Sequence, residues 1–300
     1  MIAGDHVTAS AAAKVNLALQ VAPRGADGYH QLHTVFTAVS LYDQIVCRPA
    51  PPGVIQVTVL GRQAELVPTD GNDLSGQAAR LLRDSFGRPD LGVHMTLTKS
   101  IPVAGGMAGG SADAAVALVG CRELWGLSVG DDDMFALARQ LGADVPFALM
   151  GGVANATGHG DILTPLPVGC EFTWVLAFAG TGLSTAAVFN TFDQMGGGRE
   201  LTPLDDLCAA IAIGDAQAVG AALTNDLEAA AIRLRPELAE TLAVGRRQPG
   251  VLGGVLSGSG PTCVFLTDPE SAVGVANSLA YLPQVSGTEV VTSPALGARL

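Results

Sequence analysis

Residues 102–118 read Pro102-Val-Ala104-Gly105-Gly106-Met107-Ala108-Gly109-Gly110-Ser111-Ala112-Asp113-Ala-Ala-Val-Ala-Leu118. Four glycines fall in six positions, between an alternating run at 92–98 and a stretch of strong helix formers. The pattern predicts a strand that ends near Lys99 and a helix from about Ser111 to Trp125. Glycines let backbone N–H groups approach a ligand closely and adopt positive φ. The helix that follows offers unsatisfied N–H groups and the positive end of its dipole, a seat for an anion. Ser111 stands where its hydroxyl would bond a phosphate or sit beside its Mg²⁺. Two familiar phosphate motifs fail: the loop has no Gly-Lys-[Ser/Thr], and glycines paired at 105–106 and 109–110 do not make G-x-G-x-x-G. The rival reading is a flexible strand-to-helix turn that is merely glycine-rich.

Outward from the loop, strands are predicted at 7–22 (one bent strand or a pair), 35–47 and 54–60, and helices at 74–86 and about Asp132 to Leu141. Prolines at 165 and 167 mark a link at Thr164–Gly169. Beyond it come a buried strand at 173–179 and helices at 184–192, 203–212, 215–223 and 236–246. Strands at 251–256 and 262–267 flank the tight turn Gly258-Ser-Gly260-Pro261, and a helix at 269–280 and a strand near 288–292 follow. Strands come first and helices later, without regular alternation, which favours an α+β fold in two domains over a doubly wound sheet. Gly196–Gly198 reads as a mobile loop.

Apolar residues make up 48% of the 300 and charged residues 15%, enough for a large core. The formal net charge of −12 argues against a general nucleic-acid binder, which needs a basic footprint. It leaves room for an anionic small molecule held by backbone amides and one or two cations. Five cysteines, widely spaced and without CxxC, fit reduced thiols in a cytoplasm better than a disulfide frame or a zinc site. No leader pattern opens the sequence, and no run of apolar residues is long enough to span a bilayer.

The loop resembles the P-x-x-G-G-x-x-G-G-S-x-[DN]-A-A motif of the GHMP kinases, named for galactose, homoserine, mevalonate and phosphomevalonate. Two more segments fit that superfamily in the expected order: Ala13-Lys14-Val-Asn16-Leu17 and Leu256-Ser257-Gly258-Ser259-Gly260-Pro261-Thr262. Within it, the sequence is most similar to the 4-diphosphocytidyl-2-C-methyl-D-erythritol kinase family of the non-mevalonate isoprenoid route. That likeness rests on Arg24-Gly-Ala-Asp27-Gly28-Tyr29-His30-Gln-Leu32-His-Thr34, on Gly142-Ala143-Asp144-Val145-Pro146-Phe147, and on the run from Gly152 to Leu166. The chain departs from the commoner pattern at Ala104 and Ala108, where many relatives carry glycine.

The resemblance implies a nucleotide-binding domain at 1–166, of the ribosomal-protein-S5-like type, and an α/β sandwich domain at 167–300, in a monomer or homodimer. It implies ATP and Mg²⁺, and a substrate carrying a cytidine diphosphate group. ATP is expected against Lys99 and the stretch from Pro102 through Ala104, Gly105, Gly106, Met107, Ala108, Gly109 and Gly110 to Ser111 and Ala112. Asp144 would be the general base, with Lys14 beside it favouring the ionised carboxylate. Asn16, Tyr29, His30, Thr185 and Phe189 would contact substrate, with Tyr29 and His30 reading the cytosine by stacking and by hydrogen bonds, and Phe189 as a second aromatic over the base.

Each role has a plainer rival. Asp144 before Val-Pro also fits a helix N-cap. Lys14 also fits an exposed strand edge, Tyr29-His30 a surface turn, Ser257–Thr262 a simple hairpin, and Phe189 a core position on an amphipathic helix. Asn225, Asp226 and Glu228 read as the solvated face of a helix. Besides the cytidylyl kinase, a homoserine- or mevalonate-type kinase and a non-catalytic nucleotide-binding relative stay open. The last is disfavoured because both Asp144 and Lys14 stand.

Overall fold

The computed structural model describes residues 6–68 and 73–300. Most of the leader reading falls on residues 1–5, outside the described residues. The chain opens with β1 (Val7–Arg24) and β2 (His30–Pro49), two long strands joined by the turn at 25–29 and paired antiparallel. Then follow β3 (Ile55–Gly61), α1 (Leu74–Ser85), β4 (Val93–Lys99), α2 (Gly109–Leu124), α3 (Asp131–Leu141) and α4 (Val145–Met150). β5 (Val153–Thr157) and β6 (Ile162–Pro165) form a hairpin that pairs with β2. The first sheet has the order β3-β4-β2-β1-β8, with β5 and β6 alongside β2.

The second half contains β7 (Phe172–Ala179), α5 (Thr185–Gln194), α6 (Asp205–Ile213), α7 (Ala216–Ala222), β8 (Thr224–Asn225), α8 (Glu228–Leu234) and α9 (Glu237–Arg246). It ends with β9 (Val251–Leu256), β10 (Cys263–Thr267), α10 (Ala272–Ala280) and β11 (Val285–Ser293). Its sheet is antiparallel, in the order β11-β7-β10-β9. The two-residue β8 crosses over to extend the first sheet, parallel to β1. The mixed, mostly antiparallel pairing agrees with the predicted α+β class.

β1 is buried on both faces, as its nearly continuous apolar run requires. Ala13, Val15 and Leu17 join the main core, which also takes in α2 from Ala112 to Cys121. Lys14 and Asn16 alternate with them and lie on the other face. Lys14 is only 8% exposed, with Ala38 of β2 on one side and the Met107 carbonyl on the other, so the edge reading is excluded.

Several short elements have no predicted bounds, although a helix start at Asp144 and a helix carrying Glu228 are among the readings above. α4, α8, and the β5–β6 hairpin are each too short to display a full period. Two expectations are corrected. Gly197 and Gly198 are packed while Gly196 is exposed: a side chain on Gly197 would strike the Phe192 ring and one on Gly198 would strike Pro23, and the Arg199 N–H bonds Val21 O at 3.1 Å. Residues 225–228 are not a solvated face. Asn225 is 9% exposed, its amide donating to Leu256 O and Gly258 O, both at 2.7 Å. Asp226 accepts the Val21 N–H at 2.9 Å, and Glu228 pairs with Arg246 at 2.8 Å. Two carbonyls, a strand N–H and a guanidinium, not water alone, receive these side chains.

Candidate active site

After β4 the chain reaches α2 through three left-handed residues, Ala104 (φ 50°), Gly106 (φ 76°) and Ala108 (φ 56°). The N-cap of α2 is Ala108, which has no side chain able to cap, so the first N–H groups of the helix are available to an anion. The loop is held from two sides. The Lys14 N–H donates to Met107 O at 3.2 Å. From the second half, the Ser257 hydroxyl donates to Gly106 O at 2.9 Å and the Thr262 N–H to Gly105 O at 3.3 Å. A methyl on Gly106 would collide with Ser257 O, so only glycine fits there. The Ser257–Thr262 turn therefore closes onto the loop and is more than a hairpin.

The loop residues divide by what their side chains do. Ala104, Gly105, Gly106, Ala108, Gly109 and Gly110 line a cavity of about 350 Å³. Met107 and Ala112 are wholly buried core side chains, and Pro102 is a buried support under Gly105. These three shape the loop and offer a ligand no side chain. Ser111 is half-buried and lines neither this cavity nor its neighbour, so its position does not favour the expected metal contact.

Lys14 and Asp144 meet in the cavity wall, Nζ to Oδ1 at 3.5 Å. Lys14 also donates to Asn16 Oδ1 at 2.8 Å, and Asn16 to Thr34 Oγ1 at 2.9 Å, which in turn donates to Ala18 O. The ammonium lies 4.6 Å from the centre of the Phe36 ring. Asp144 occupies the N-cap position of α4, with Pro146 in the first turn, yet its side chain makes no capping hydrogen bond. Its carboxylate is a third exposed and faces Lys14.

At the far end, Phe189, Thr185 and Leu32 line the same cavity. Phe189 is only half-buried and stacks on His30, centroids 5.2 Å apart. Thr185 and Ser259 share a hydrogen bond at 2.9 Å. The His30 ring is committed at both nitrogens: Nδ1 to Ala22 O at 2.8 Å, where it must donate, and Nε2 to Asp193 at 3.3 Å. The ring nitrogens of His30 are thus taken by the fold, and this ring backs Phe189. Tyr29 is 66% exposed and outside the cavity lining, its ring 5.4 Å from that of His159. His159, on the β5–β6 turn, does line the cavity and was not singled out. Only its place in the run from Gly152 to Leu166 points to it.

Lys99 lies beneath the first turn of α2, 3% exposed, bound to Asp43 and to Asp113 (2.7 Å). Asp43 also accepts the N–H groups of Ser100 and Ile101, fixing the start of the loop. Burial pushes the Asp113 carboxyl up to about 8; Lys99 pulls the other way and the Asp43 carboxylate adds to the rise. Lys99 and Asp113 line a second cavity of about 300 Å³, with Leu66, Val67 and Pro68, next to Ala104 and Gly110. Among the described residues, no group of three carboxylate, histidine or cysteine side chains could cage a metal. No helix of the described residues is long and apolar enough to cross a membrane.

The family model for the GHMP kinases N terminal domain matches residues 73–152, and that for the GHMP kinases C terminal domain matches 206–283. A 4-diphosphocytidyl-2-C-methyl-D-erythritol kinase of Cutibacterium acnes is 47% identical, over 98% of this chain and 96% of its own length. That of Streptomyces coelicolor is 48% identical, over 97% of each. A crystal structure of 4-(cytidine 5'-diphospho)-2C-methyl-D-erythritol kinase matches with a TM-score of 0.79 at 35% identity, covering 96% of this chain and 99% of its own. Homoserine kinase from Cytophaga hutchinsonii matches with a TM-score of 0.77 at 18% identity, covering 100% of this chain and 98% of its own, a likeness of fold alone.

Proposed function

The chain belongs to the GHMP kinases and, within them, to the 4-diphosphocytidyl-2-C-methyl-D-erythritol kinases, and from that membership we propose that it moves the γ-phosphate of ATP onto the 2-hydroxyl of that cytidylyl alcohol. The observation that carries the reading is the placement of an uncapped carboxylate, Asp144, beside the buried ammonium of Lys14 in a cavity walled by the glycine loop.

Phosphoryl transfer asks for positioning and neutralised oxygens more than for covalent chemistry. In this reading the first-turn N–H groups of α2 and the loop glycines take the phosphates. Asp144 accepts the proton of the attacking hydroxyl. Lys14, 3.5 Å from Asp144, offsets charge on the oxygen as the proton leaves. Asn16 and Phe36 hold Lys14 in place. The pair is close enough to interact strongly, yet Asp144 keeps the partial exposure a substrate needs.

Magnesium ions at kinase sites bind through one or two carboxylates plus substrate phosphates, keeping several waters. The donor set fits that pattern: Asp144 is the cavity's one carboxylate, and the rest would come from the nucleotide. Bound there, the ion would neutralise phosphate charge.

Phe189, on its His30 backing, is assigned to stack on the cytosine, with the exposed Tyr29 free to cover it from the other side. Thr185 and Asn16 complete the substrate wall. Lys99 would reach the nucleotide only as a wall of the second cavity, where the adenosine end is assigned. A division at 166/167 and a cytoplasmic setting with free thiols belong to the same reading.

The test is ADP release with Mg²⁺-ATP and, separately, 4-diphosphocytidyl-2-C-methyl-D-erythritol, mevalonate, homoserine and galactose. Release with the cytidylyl alcohol alone is expected. Release with another alcohol would keep the kinase and discard this substrate.

A further inference from the structure

The main cavity is poorly equipped for the substrate it is assigned. Its lining contains two side chains able to carry positive charge, Lys14 and His159, and Lys14 is already matched by Asp144. The substrate nevertheless brings a diphosphate into a chain of formal net charge −12. If the alcohol lies at Asp144 and the base at Phe189, the diphosphate falls between them.

His159 stands on that middle stretch. The turn that carries it rests on residues leading to both ends. Atoms built on Gly160 would touch Phe36, which underlies Lys14, and Leu32, which packs in the same cluster as Phe189. The turn is well held: Leu32 N–H donates to Gly158 O at 2.7 Å, Gly160 N–H to Thr157 O at 3.1 Å, and His159 N–H to Asp161 Oδ1 at 3.0 Å. The backbone is thus fixed while the ring is not. Nε2 lies 3.8 Å from Asp27 Oδ2 and 3.5 Å from Gln31 Nε2, and the side chain is 45% exposed. By contrast, both His33 nitrogens are engaged at 2.9 Å by Thr202 O and Asn155 Oδ1, and His30 by Ala22 O at 2.8 Å and Asp193 at 3.3 Å. His159 is the cavity's one imidazole, and among the described residues no polar partner holds its ring closer than 3.5 Å.

We propose that His159 binds the diphosphate of the cytidylyl substrate as an imidazolium and sets the preference for a nucleoside diphosphate over a bare nucleoside. The proposal rests on the substrate reading above. An imidazole changes charge near neutral pH, so the contact weakens as the solution becomes alkaline. The charged or titratable groups around the ring are Asp27 and Tyr29 from the β1–β2 turn and Asp161 from its own turn. The phosphate would join these two carboxylates as a neighbour of the ring on binding.

Two measurements on the full chain test it. In the first, His159→Ala and His159→Arg are compared with the unaltered protein in steady-state turnover between pH 6 and pH 9. His159→Ala should raise the KM for the cytidylyl alcohol roughly tenfold near pH 6.5, the low end of the scale for a hydrogen bond to a charged group, with kcat and the KM for ATP unchanged. The unaltered protein's KM should climb with pH, and that of His159→Arg should not. In the second, cytidine diphosphate and cytidine are titrated calorimetrically without ATP. His159→Ala should lose affinity for the diphosphate and keep it for cytidine. Equal losses for both ligands would mean that the ring stacks and does not bind phosphate, and would overturn the proposal, as would an unchanged KM. If the unaltered protein turns over no cytidylyl alcohol and binds neither ligand, the substrate reading itself is wrong and this inference falls with it. Normal turnover with an indifferent His159 refutes the inference alone.

Discussion

The Ser257 hydroxyl donates to the carbonyl of Gly106 at 2.9 Å, joining a turn of the second half to the phosphate loop of the first. The same approach leaves no room for a side chain at 106, where φ is +76°. Gly106→Ala should therefore act on the nucleotide site. The KM for ATP is expected to rise at least tenfold and the thermal midpoint to fall by several degrees, because strain of about 1–2 kcal/mol in a left-handed alanine adds to the clash. Ser257→Ala removes one hydrogen bond and should cost about 1 kcal/mol without the loss of ATP affinity. Equal behaviour of the two variants in nucleotide titration would show that the close approach does not matter.

Asp144→Asn tests the base. Because the carboxylate makes no capping bond, the variant should melt within about a degree of the unaltered protein. Turnover should fall by roughly 10²–10⁴, the usual scale for a general base, while ATP binding persists. A variant that melts far lower would return Asp144 to the role of a structural cap, and an undiminished rate would remove it from the mechanism.

The glycine loop, the long elements and the Lys14, Asp144 and Phe189 positions were legible because each leaves a local mark: a glycine cluster, a period of 2 or 3.6, or a quoted motif. What escaped depends on contacts distant in the chain. Asn225 reads as polar and exposed until Leu256 O and Gly258 O, some thirty residues on, are seen to accept its amide. Met107 and Ala112 sit inside the motif but face the core, because a helix entering a sheet interface must bury one side of its first turns. His30 looks like a base reader until Ala22 O and Asp193 claim its nitrogens. Spacing along the chain does not reveal which partner occupies a hydrogen-bonding group.

Ala108 is the uncapped N-cap of α2 and sits at φ 56°, ψ 35°, a left-handed conformation that an alanine adopts at a cost of about 1–2 kcal/mol. Ala108→Gly should relieve most of that, less the entropy glycine adds to the unfolded chain, about 0.5–1 kcal/mol. A net rise of roughly 1–3 °C in the thermal midpoint is expected. Ala104 is a poorer site for the same test, since its methyl packs close to Gly182. A fall in the midpoint would mean that the Ala108 methyl contributes packing that outweighs the strain.

The Asp43–Lys99–Asp113 group sets two carboxylates around one buried ammonium, and Asp113 Oδ1 has no hydrogen-bond partner. A proton on Asp113 resolves the imbalance, in keeping with a carboxyl pushed up to about 8 from its ordinary 3.8. In the unfolded chain the same group loses its proton near the ordinary value. Between those two pH values the folded state therefore holds a proton that the unfolded state does not, so its contribution to stability declines as pH rises from about 4 to about 8 and is level above that. Asp113→Asn keeps the shape and the neutral charge without the titration. Its melting temperature relative to the unaltered protein should climb steadily from pH 5 to pH 8 and then stop changing. A difference that stays flat across that range would mean that Asp113 is ionised throughout in the fold, with Lys99 shared between two full carboxylates beneath the phosphate loop.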